Sequence, residues 1–237
     1  MKKKGISILL ILLIMIVSFG AIAHWTNSGE KEPKGSKTRI DAAIMKQLVD
    51  ADPVHKIPSG SVLYILGGSE DSLLLKFKVA SILYRQGKCK RILVLHRKGR
   101  TEFNRSLGRN LTNDEWASIE LEKLGIPRQM VEMVKIEEGF FGTFAEARGI
   151  SSLAKKRRYK CIVLVTAAPH THRARISFEN FLKDSHISIY AVASDEEGLF
   201  TEHLLEYVKL KVYELLLLKS SERLGSGNAA LVTSSYS

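Results

Sequence analysis

Short apolar runs alternate with amphipathic segments along most of the chain after residue 60. The pattern predicts strands at 61–66, 91–95, 131–136, 161–166 and 187–192. It predicts helices before, between and after these strands, at 41–50, 71–86, 114–124, 143–156, 171–183 and 202–218. Strands that are apolar throughout and separated by helices indicate a parallel sheet that is covered on both faces. The sequence therefore predicts a Rossmann-like, doubly wound α/β domain with a parallel sheet of about five strands.

Turn and capping residues predict where several elements end. The first strand stops at a Gly-Gly pair, residues 67–68, and Gly87 is placed to end the helix that follows. Asn113 or Asp114 can cap the next helix at its N-terminus. Thr143 is the expected N-cap of the helix after the third strand.

The N-terminus has a different pattern. Three lysines at 2–4 precede an uncharged apolar run at 6–23. A helix needs roughly 20 apolar residues to span the hydrocarbon core, and a basic flank favours a cytoplasmic N-terminus. We therefore expect residues 1–23 to be a single-pass anchor in the cell (inner) membrane, with the rest of the chain extracytoplasmic. The alternative is a cleaved signal peptide, because residues 21–23 have an A-x-A pattern.

The rest of the chain divides by composition. Residues 24–40 are polar and contain Gly, Pro and Ser, which predicts a flexible tether. Residues 41–218 carry the alternating pattern and are predicted to form one domain. Residues 219–237 are rich in Ser and Gly, which predicts a disordered tail.

Charge narrows the choice of partners. The formal net charge is +11, with basic clusters at 96–100 and 155–158. Outside the cytoplasm, a basic surface favours anionic lipid head groups or a phosphorylated ligand, although a solvated helix face also explains residues 155–158. No nucleic-acid-binding motif accompanies the charge, and we expect no nucleic-acid partner.

The two cysteines, Cys89 and Cys161, begin the second and fourth predicted strands. A Rossmann-like order puts the first strand between these two, which separates the cysteines by roughly 10 Å. A disulfide needs Cα atoms within about 7 Å of each other, so we expect none. The sequence contains no zinc-type spacing of Cys and His, and we predict no metal site.

Candidate chemistry is expected beyond the carboxyl ends of the strands, where open parallel sheets bind ligands. The glycines at 67–68 let backbone amides approach an anion at a helix N-terminus. His96 and Arg97 follow the second strand. The fourth strand ends at Thr166, and a new helix begins a few residues later.

His170 and Arg173, at the start of that helix, are predicted to point into the crevice together. A histidine moves a proton near neutral pH, and an arginine holds a carboxylate or phosphate with two hydrogen bonds. A surface loop in which both side chains only cap or pack is the alternative. His170 and His172 as metal ligands lack a third ligand nearby.

The order and spacing of these motifs, over about residues 60–212, resemble the YdcF/SanA/ElyC-like family. The matching positions are Gly67, Gly68, Lys76, Ala80, Leu83, Tyr84, Gly87, Lys88, 124–127, Thr143, Ala147, 164–166, His170, Arg173, Ala174 and Glu206. The resemblance implies a Rossmann-like fold, a single N-terminal anchor as in the members closest in layout, and a role in cell-envelope integrity.

The chain departs from the family pattern at several positions. Lys76 stands where an arginine is usual, which keeps the charge but loses the bidentate geometry. His96 and Arg97 replace a Ser-Gly pair. Two positions that are usually acidic hold Ala145 and, unless Glu115 substitutes in a shifted register, Asn113. These departures predict a more cationic pocket and leave the general base unassigned.

The resemblance leads to a functional hypothesis with alternatives. The ligand is an anionic small molecule or a lipid-linked envelope precursor. Its contacts are the amides of Gly67 and Gly68, the cations Lys76, Arg97 and Arg173, and Thr143 and Thr166, with His170 as acid or base. The alternative is a non-catalytic interaction or regulatory factor with a degenerate pocket. S-adenosylmethionine or nucleotide binding is a weaker alternative outside the cytoplasm, and no cofactor is predicted.

Overall fold

The computed structural model describes residues 34–137, 142–196 and 198–232. The strands of this part of the chain are β1 Ser61–Ile65, β2 Cys89–Leu95, β3 Arg100–Asn104, β4 Arg109–Thr112, β5 Val131–Val134, β6 Cys161–Ala167 and β7 Ser188–Ser194. Its α-helices are α1 Lys34–Leu48, α2 Glu70–Arg85, α3 Asn113–Lys123, α4 Gly142–Lys156, α5 Thr171–Leu182 and α6 Phe200–Val232. The chain divides into two compact units, Val49–Glu197 and the two flanking segments together.

The larger unit is built on a five-stranded sheet in the order β5-β2-β1-β6-β7. Every neighbouring pair in this sheet is parallel. The predicted Rossmann-like α/β fold with a five-stranded parallel sheet is therefore confirmed. The strand order reverses between β1 and β6, which is the switch point where such sheets bind ligands.

Burial of β1 explains why helices cover both faces of the sheet. All five of its residues are buried. Leu63 and Ile65 face the side of α2 and α3, where they join a core cluster with Phe77. Val62 and Tyr64 face the side of α4 and α5. Each large apolar side chain buried in this way stabilises the fold by about 1.5–3 kcal/mol.

A β-hairpin between β2 and α3 was not predicted. β3 and β4 pair antiparallel as a separate two-stranded sheet. Asn104 accepts a hydrogen bond from the Leu107 amide (3.0 Å), and Gly108 has a φ of +64°, so the turn depends on residues suited to it. The two strands are short and carry few apolar residues, which is why no strand pattern stands out in the sequence.

The N-cap of α3 is one residue earlier than predicted. Thr112, rather than Asn113 or Asp114, accepts the Glu115 amide on its hydroxyl, and the Glu115 carboxylate accepts the Thr112 amide. This reciprocal pair is a capping box. It fixes the first turn of α3, which carries Asp114.

Both cysteines are free thiols. As predicted, β1 lies between β2 and β6, and Ser61 pairs in register with Cys89. The Ser61 hydroxyl donates to Cys161 Sγ at 3.2 Å. Burial raises the pKa of the Cys89 thiol to about 11.

The second unit contains α1 and α6, which contact each other. His203 Nδ1 in α6 lies 2.7 Å from Asp41 Oδ1 in α1. The α1 helix begins at Lys34, inside the segment 24–40 that was predicted to be a tether, and α6 continues to Val232, inside the predicted tail. None of the helices in the described ranges is long and apolar enough to cross a membrane. The predicted anchor, residues 1–23, lies outside those ranges.

Candidate functional site

The carboxyl edge of the sheet holds an open cleft of about 710 Å³. It lies beyond the ends of β2 and β5, beside the first turns of α4. Its lining residues are Leu95, His96, Arg97, Lys98, Lys135, Ile136, Glu137, Gly142, Ala145 and Glu146.

The turn after β1 requires glycine because α2 packs close against it. A Cβ on Gly68 would lie 2.7 Å from Ser72 Oγ and 2.9 Å from Lys76 Nζ, and one on Gly67 would lie 3.2 Å from Glu146 Oε1. The two glycines therefore allow side chains from α2 and α4 to reach the backbone at the end of β1. The pair thus packs closely against the protein's own groups, whereas the predicted partner of its amides was an anion.

Lys76, predicted to clamp the ligand, is buried in α2 and bonded to backbone. Its ammonium donates to the carbonyls of Gly67 (2.9 Å) and Leu66 (3.4 Å). Burial lowers the pKa of Lys76, and the carboxylates of Glu196 and Glu146 oppose that change. Lys76 therefore holds the turn in place and adds positive charge to the edge of the sheet, while its ammonium is turned to carbonyl oxygens.

Arg97 is exposed at the end of β2 and lines the cleft. Its Nη1 donates to the carbonyl of Gly68. Its amide donates to Asp114 Oδ1 at 3.3 Å. These bonds bring the segments after β1 and β2 together beside the N-terminus of α3.

The predicted residues from β6 and α5 lie at the same edge. Thr166 is buried at the end of β6, and His170 is the partly exposed N-cap residue of α5. Arg173 is buried in the first turn of α5, and its Nη1 donates to Thr143 Oγ1 at 2.5 Å. The structure therefore joins Arg173 to Thr143 through a direct hydrogen bond between α5 and α4.

Glu146 supplies a carboxylate that the sequence analysis did not assign. It follows Ala145, which is buried and stands where the resemblance led us to expect an acidic residue. Glu146 Oε2 accepts hydrogen bonds from the Tyr64 hydroxyl (2.7 Å) and the Gly67 amide (3.3 Å). One residue along a helix turns a side chain by about 100°, so the family pattern could not reveal that the next residue faces the site.

Burial raises the pKa of Glu146. The hydrogen bonds from Tyr64 and Gly67 and the charges of Lys76 and Arg173 oppose this effect. Glu146 therefore connects Gly67 and Lys76, at the turn after β1 and in α2, with Arg173 in α5. The sequence left the general base unassigned, and Glu146 places a carboxylate beside the predicted residues.

A second carboxylate, Glu196, follows β7. Its Oε1 accepts hydrogen bonds from the hydroxyls of Ser72 (3.0 Å) and Ser194 (2.8 Å). Its charge opposes the lowering of the pKa of Lys76. Two carboxylates therefore balance the cations near the switch point, and the sequence offered no signal for Glu196 beyond its position after a strand.

His96 and Asp114 form a further pair that the sequence analysis did not connect. His96 Nδ1 lies 2.6 Å from Asp114 Oδ2, and the side chains are 32% and 28% exposed. His96 lines the cleft. Asp114 is held in place by the first turn of α3. The position of His96 at a strand end was the available signal, but its partner is 18 residues away.

Metal binding finds no support in the described ranges, which contain no group of three or more His, Cys, Asp or Glu side chains able to hold a metal ion.

Comparison with known proteins finds two solved structures that are similar to part of this chain at low TM-scores. No family model matches the sequence, and no curated protein matches it. A structure of the universal stress protein from Archaeoglobus fulgidus in complex with dAMP is 13% identical, covering 56% of this chain and 97% of that chain, with a TM-score of 0.34. Another structure of universal stress protein from Archaeoglobus fulgidus is 11% identical, covering 58% and 96%, with a TM-score of 0.34. Likeness at this level says nothing about a ligand.

Proposed function

We propose that this chain is a membrane-anchored, extracytoplasmic protein of the YdcF/SanA-like type that acts in cell-envelope biogenesis or integrity. Its ligand is an anionic or phosphorylated envelope compound that binds at the carboxyl edge of the sheet. The observation that supports the proposal is the cleft beyond β2 and β5, whose lining includes Arg97, Lys98 and Lys135.

The charges of the cleft favour an anion. Within the described ranges, the ammonium groups of Lys98 and Lys135 have no carboxylate partner. The two carboxylates of the lining have partners of their own, since Glu137 lies 3.7 Å from Arg148 and Glu146 accepts from Tyr64 and Gly67. Arginine and lysine bind phosphate oxygens through charge-assisted hydrogen bonds. The ammonium groups of Lys98 and Lys135 are therefore available to an anionic ligand in the cleft.

This assignment moves the binding site from the β1–β6 side to the β2–β5 side of the sheet. The Gly67 amide already donates to Glu146, and the Lys76 ammonium donates to backbone carbonyls. An anion at those groups has to displace internal hydrogen bonds. At Lys98 and Lys135 an anion would meet ammonium groups that make no hydrogen bond or ion pair within the described ranges.

Thermal unfolding of the full chain in detergent tests the proposal, with orthophosphate, pyrophosphate and glucose 1-phosphate as probes. Binding to the folded state raises stability by about 2.7 kcal/mol at 100 times Kd. We expect a rise in Tm for the wild type and about tenfold weaker binding for Lys135→Gln, because a hydrogen bond between charged groups contributes about 1.5–3 kcal/mol.

Lys160→Gln is the matched control, because Lys160 is exposed just before β6, at the opposite edge of the sheet. Equal weakening by Lys135→Gln and Lys160→Gln would show that the anion does not bind in the cleft. If Arg173→Ala loses anion binding and Lys135→Gln binds as tightly as the wild type, the anion binds on the β6 side of the sheet instead. No shift with any probe refutes the anion site.

The Gly67 amide and the Lys76 ammonium are occupied by internal hydrogen bonds. This favours a second candidate function, a non-catalytic interaction or regulatory factor that keeps a degenerate pocket. In that case the chain binds an anion or a protein partner without turnover. Hydrolysis of p-nitrophenyl phosphate, described below, distinguishes a catalytic protein from this non-catalytic factor.

A further inference from the structure

The pair of His96 and Asp114 has the geometry of a proton-accepting site. The carboxylate of Asp114 can only accept hydrogen bonds when ionised, so the 2.6 Å contact places the proton on His96 Nδ1. In the neutral ring, Nε2 then carries the lone pair. Asp114 is fixed from its other side, because Oδ1 accepts the Arg97 amide at 3.3 Å.

The exposure of the pair allows contact with a ligand. The side chain of His96 is 32% exposed and lines the cleft, whereas Asp114 is absent from that lining. No hydrogen-bond partner of Nε2 occurs in the described part of the chain. The ring therefore has one nitrogen held by Asp114 and the other available beside the three cations of the cleft.

We infer that His96 is the general base of a phosphate-ester hydrolysis in this cleft, with Asp114 as its positioning residue. The inference rests on the proposed anion site. His96 Nε2 takes a proton from water as the water oxygen forms a bond to phosphorus. The bond from phosphorus to the ester oxygen breaks, its electron pair stays on the leaving oxygen, and that oxygen takes a proton from solvent unless it is a stable phenolate. The imidazolium then releases its proton to solvent, giving alcohol and inorganic phosphate.

The charged groups around His96 suit this reaction. Arg97, Lys98 and Lys135 can offset the negative charge that the phosphoryl oxygens carry in the transition state. Glu137 and Glu146 also line the cleft. Asp114 stabilises the imidazolium once it forms, so the pair favours the charge produced by the reaction.

Hydrolysis of p-nitrophenyl phosphate by the full chain in detergent tests the inference. We expect the wild type to release p-nitrophenolate faster than the uncatalysed reaction does. His96→Gln lowers kcat by about 100-fold or more, the usual contribution of a general base. His186→Gln, at an exposed position before β7, is the matched control and leaves kcat unchanged.

Variants of Asp114 separate positioning from a structural role. In Asp114→Asn the amide can donate to Nδ1, which moves the ring proton to Nε2, so we expect kcat to fall by about tenfold or more with KM little changed. Asp114→Glu keeps a carboxylate and restores part of that loss. A purely structural role predicts equal losses in both variants.

Orthophosphate-dependent Tm shifts keep the two proposals apart. If orthophosphate stabilises the protein but the wild type does not hydrolyse the ester, the catalytic inference is wrong and the anion site stands. Without orthophosphate stabilisation, both fail. Activity of His96→Gln equal to that of wild type overturns the role of His96. If that variant does not fold, a wild-type kcat in Asp114→Asn overturns it.

Discussion

Glu146 is the residue at which the two parts of the candidate site meet. Its carboxylate accepts from Tyr64 on β1 and from the turn at Gly67, and its charge interacts with Lys76 and Arg173. These partners come from both helical layers. The carboxylate is nevertheless harder to ionise than an exposed one, because desolvation outweighs their combined effect.

A raised pKa in the folded state makes stability depend on pH. Between its ordinary pKa of 4.5 and the raised value, the folded protein binds a proton that the unfolded chain has released. The contribution of Glu146 to stability is therefore full below pH 4.5 and is lost as pH rises through the raised pKa. We expect Glu146→Gln, which keeps an acceptor for Tyr64, to gain stability relative to wild type as pH rises.

Urea unfolding at a series of pH values from 4 upward measures this difference. Glu137→Gln is the control, since the Glu137 side chain is 92% exposed and its removal should change the pH dependence little. A Glu146→Gln variant that loses stability against wild type with rising pH would show instead that Lys76 and Arg173 hold the carboxylate ionised.

At the scale of elements, the hairpin and the first turn of α3 position Asp114, which contacts His96 of the cleft. The capping box of Thr112 and Glu115 begins α3, and Arg109 on β4 forms a bidentate ion pair with Glu115. Hydrogen bonds from Arg109, and then from the Thr112 backbone, lower the pKa of Glu115 to about 2. The same turn carries Asp114, so the local chemistry of the cap also orients His96.

We expect Thr112→Ala to destabilise the protein by about 1 kcal/mol, the typical effect of losing an N-cap side chain. The variant leaves the Glu115 amide without its acceptor and loosens the turn that carries Asp114. Chemical denaturation, followed by the fluorescence of buried Trp116, measures the change.

Ser118→Ala is the matched control, because Ser118 lies inside the same helix and its hydroxyl only donates to the Asp114 carbonyl four residues earlier. Alanine is the better helix former, so the control should be neutral or slightly stabilising. Equal destabilisation by both substitutions contradicts the importance of the capping box.

At the scale of the whole molecule, the proposed extracytoplasmic location depends on residues 1–23, which lie outside the described ranges. A fusion of alkaline phosphatase, which is active only outside the cytoplasm, tests it in a bacterial host. The junction is placed after Ser237, because a junction at residue 40 would cut α1. The three lysines before the apolar run favour a cytoplasmic N-terminus, so we expect phosphatase activity from the full chain.

A fusion that lacks residues 1–23 is the control and should be inactive. Activity of a cytoplasmic reporter, such as β-galactosidase, fused to the full chain instead of alkaline phosphatase would overturn the extracytoplasmic proposal. Recovery of the fused chain without residues 1–23 in the soluble fraction identifies the segment as a cleaved signal peptide.

The sequence by itself determined the α/β class and the five parallel strands. Both depend on short-range patterns, because a strand buried on both faces has to be apolar at every position, and the helices between strands repeat every 3.6 residues. The placement of Gly67, Arg97 and Arg173 at the carboxyl edge follows from the same patterns. The hairpin β3–β4 was not predicted, because its strands are short and polar and show no such pattern.

Only the tertiary structure decided which side chains meet at that edge. Glu146 reaches the turn after β1 because α4 packs on that side of the sheet, and its contact with Tyr64 spans 82 residues. His96 and Asp114 meet because the chain after β2 returns through the hairpin to α3. Lys76 is turned to carbonyl oxygens by the same packing. Such contacts depend on the direction of a side chain within a helix turn, which periodicity alone does not specify at the level of a single residue.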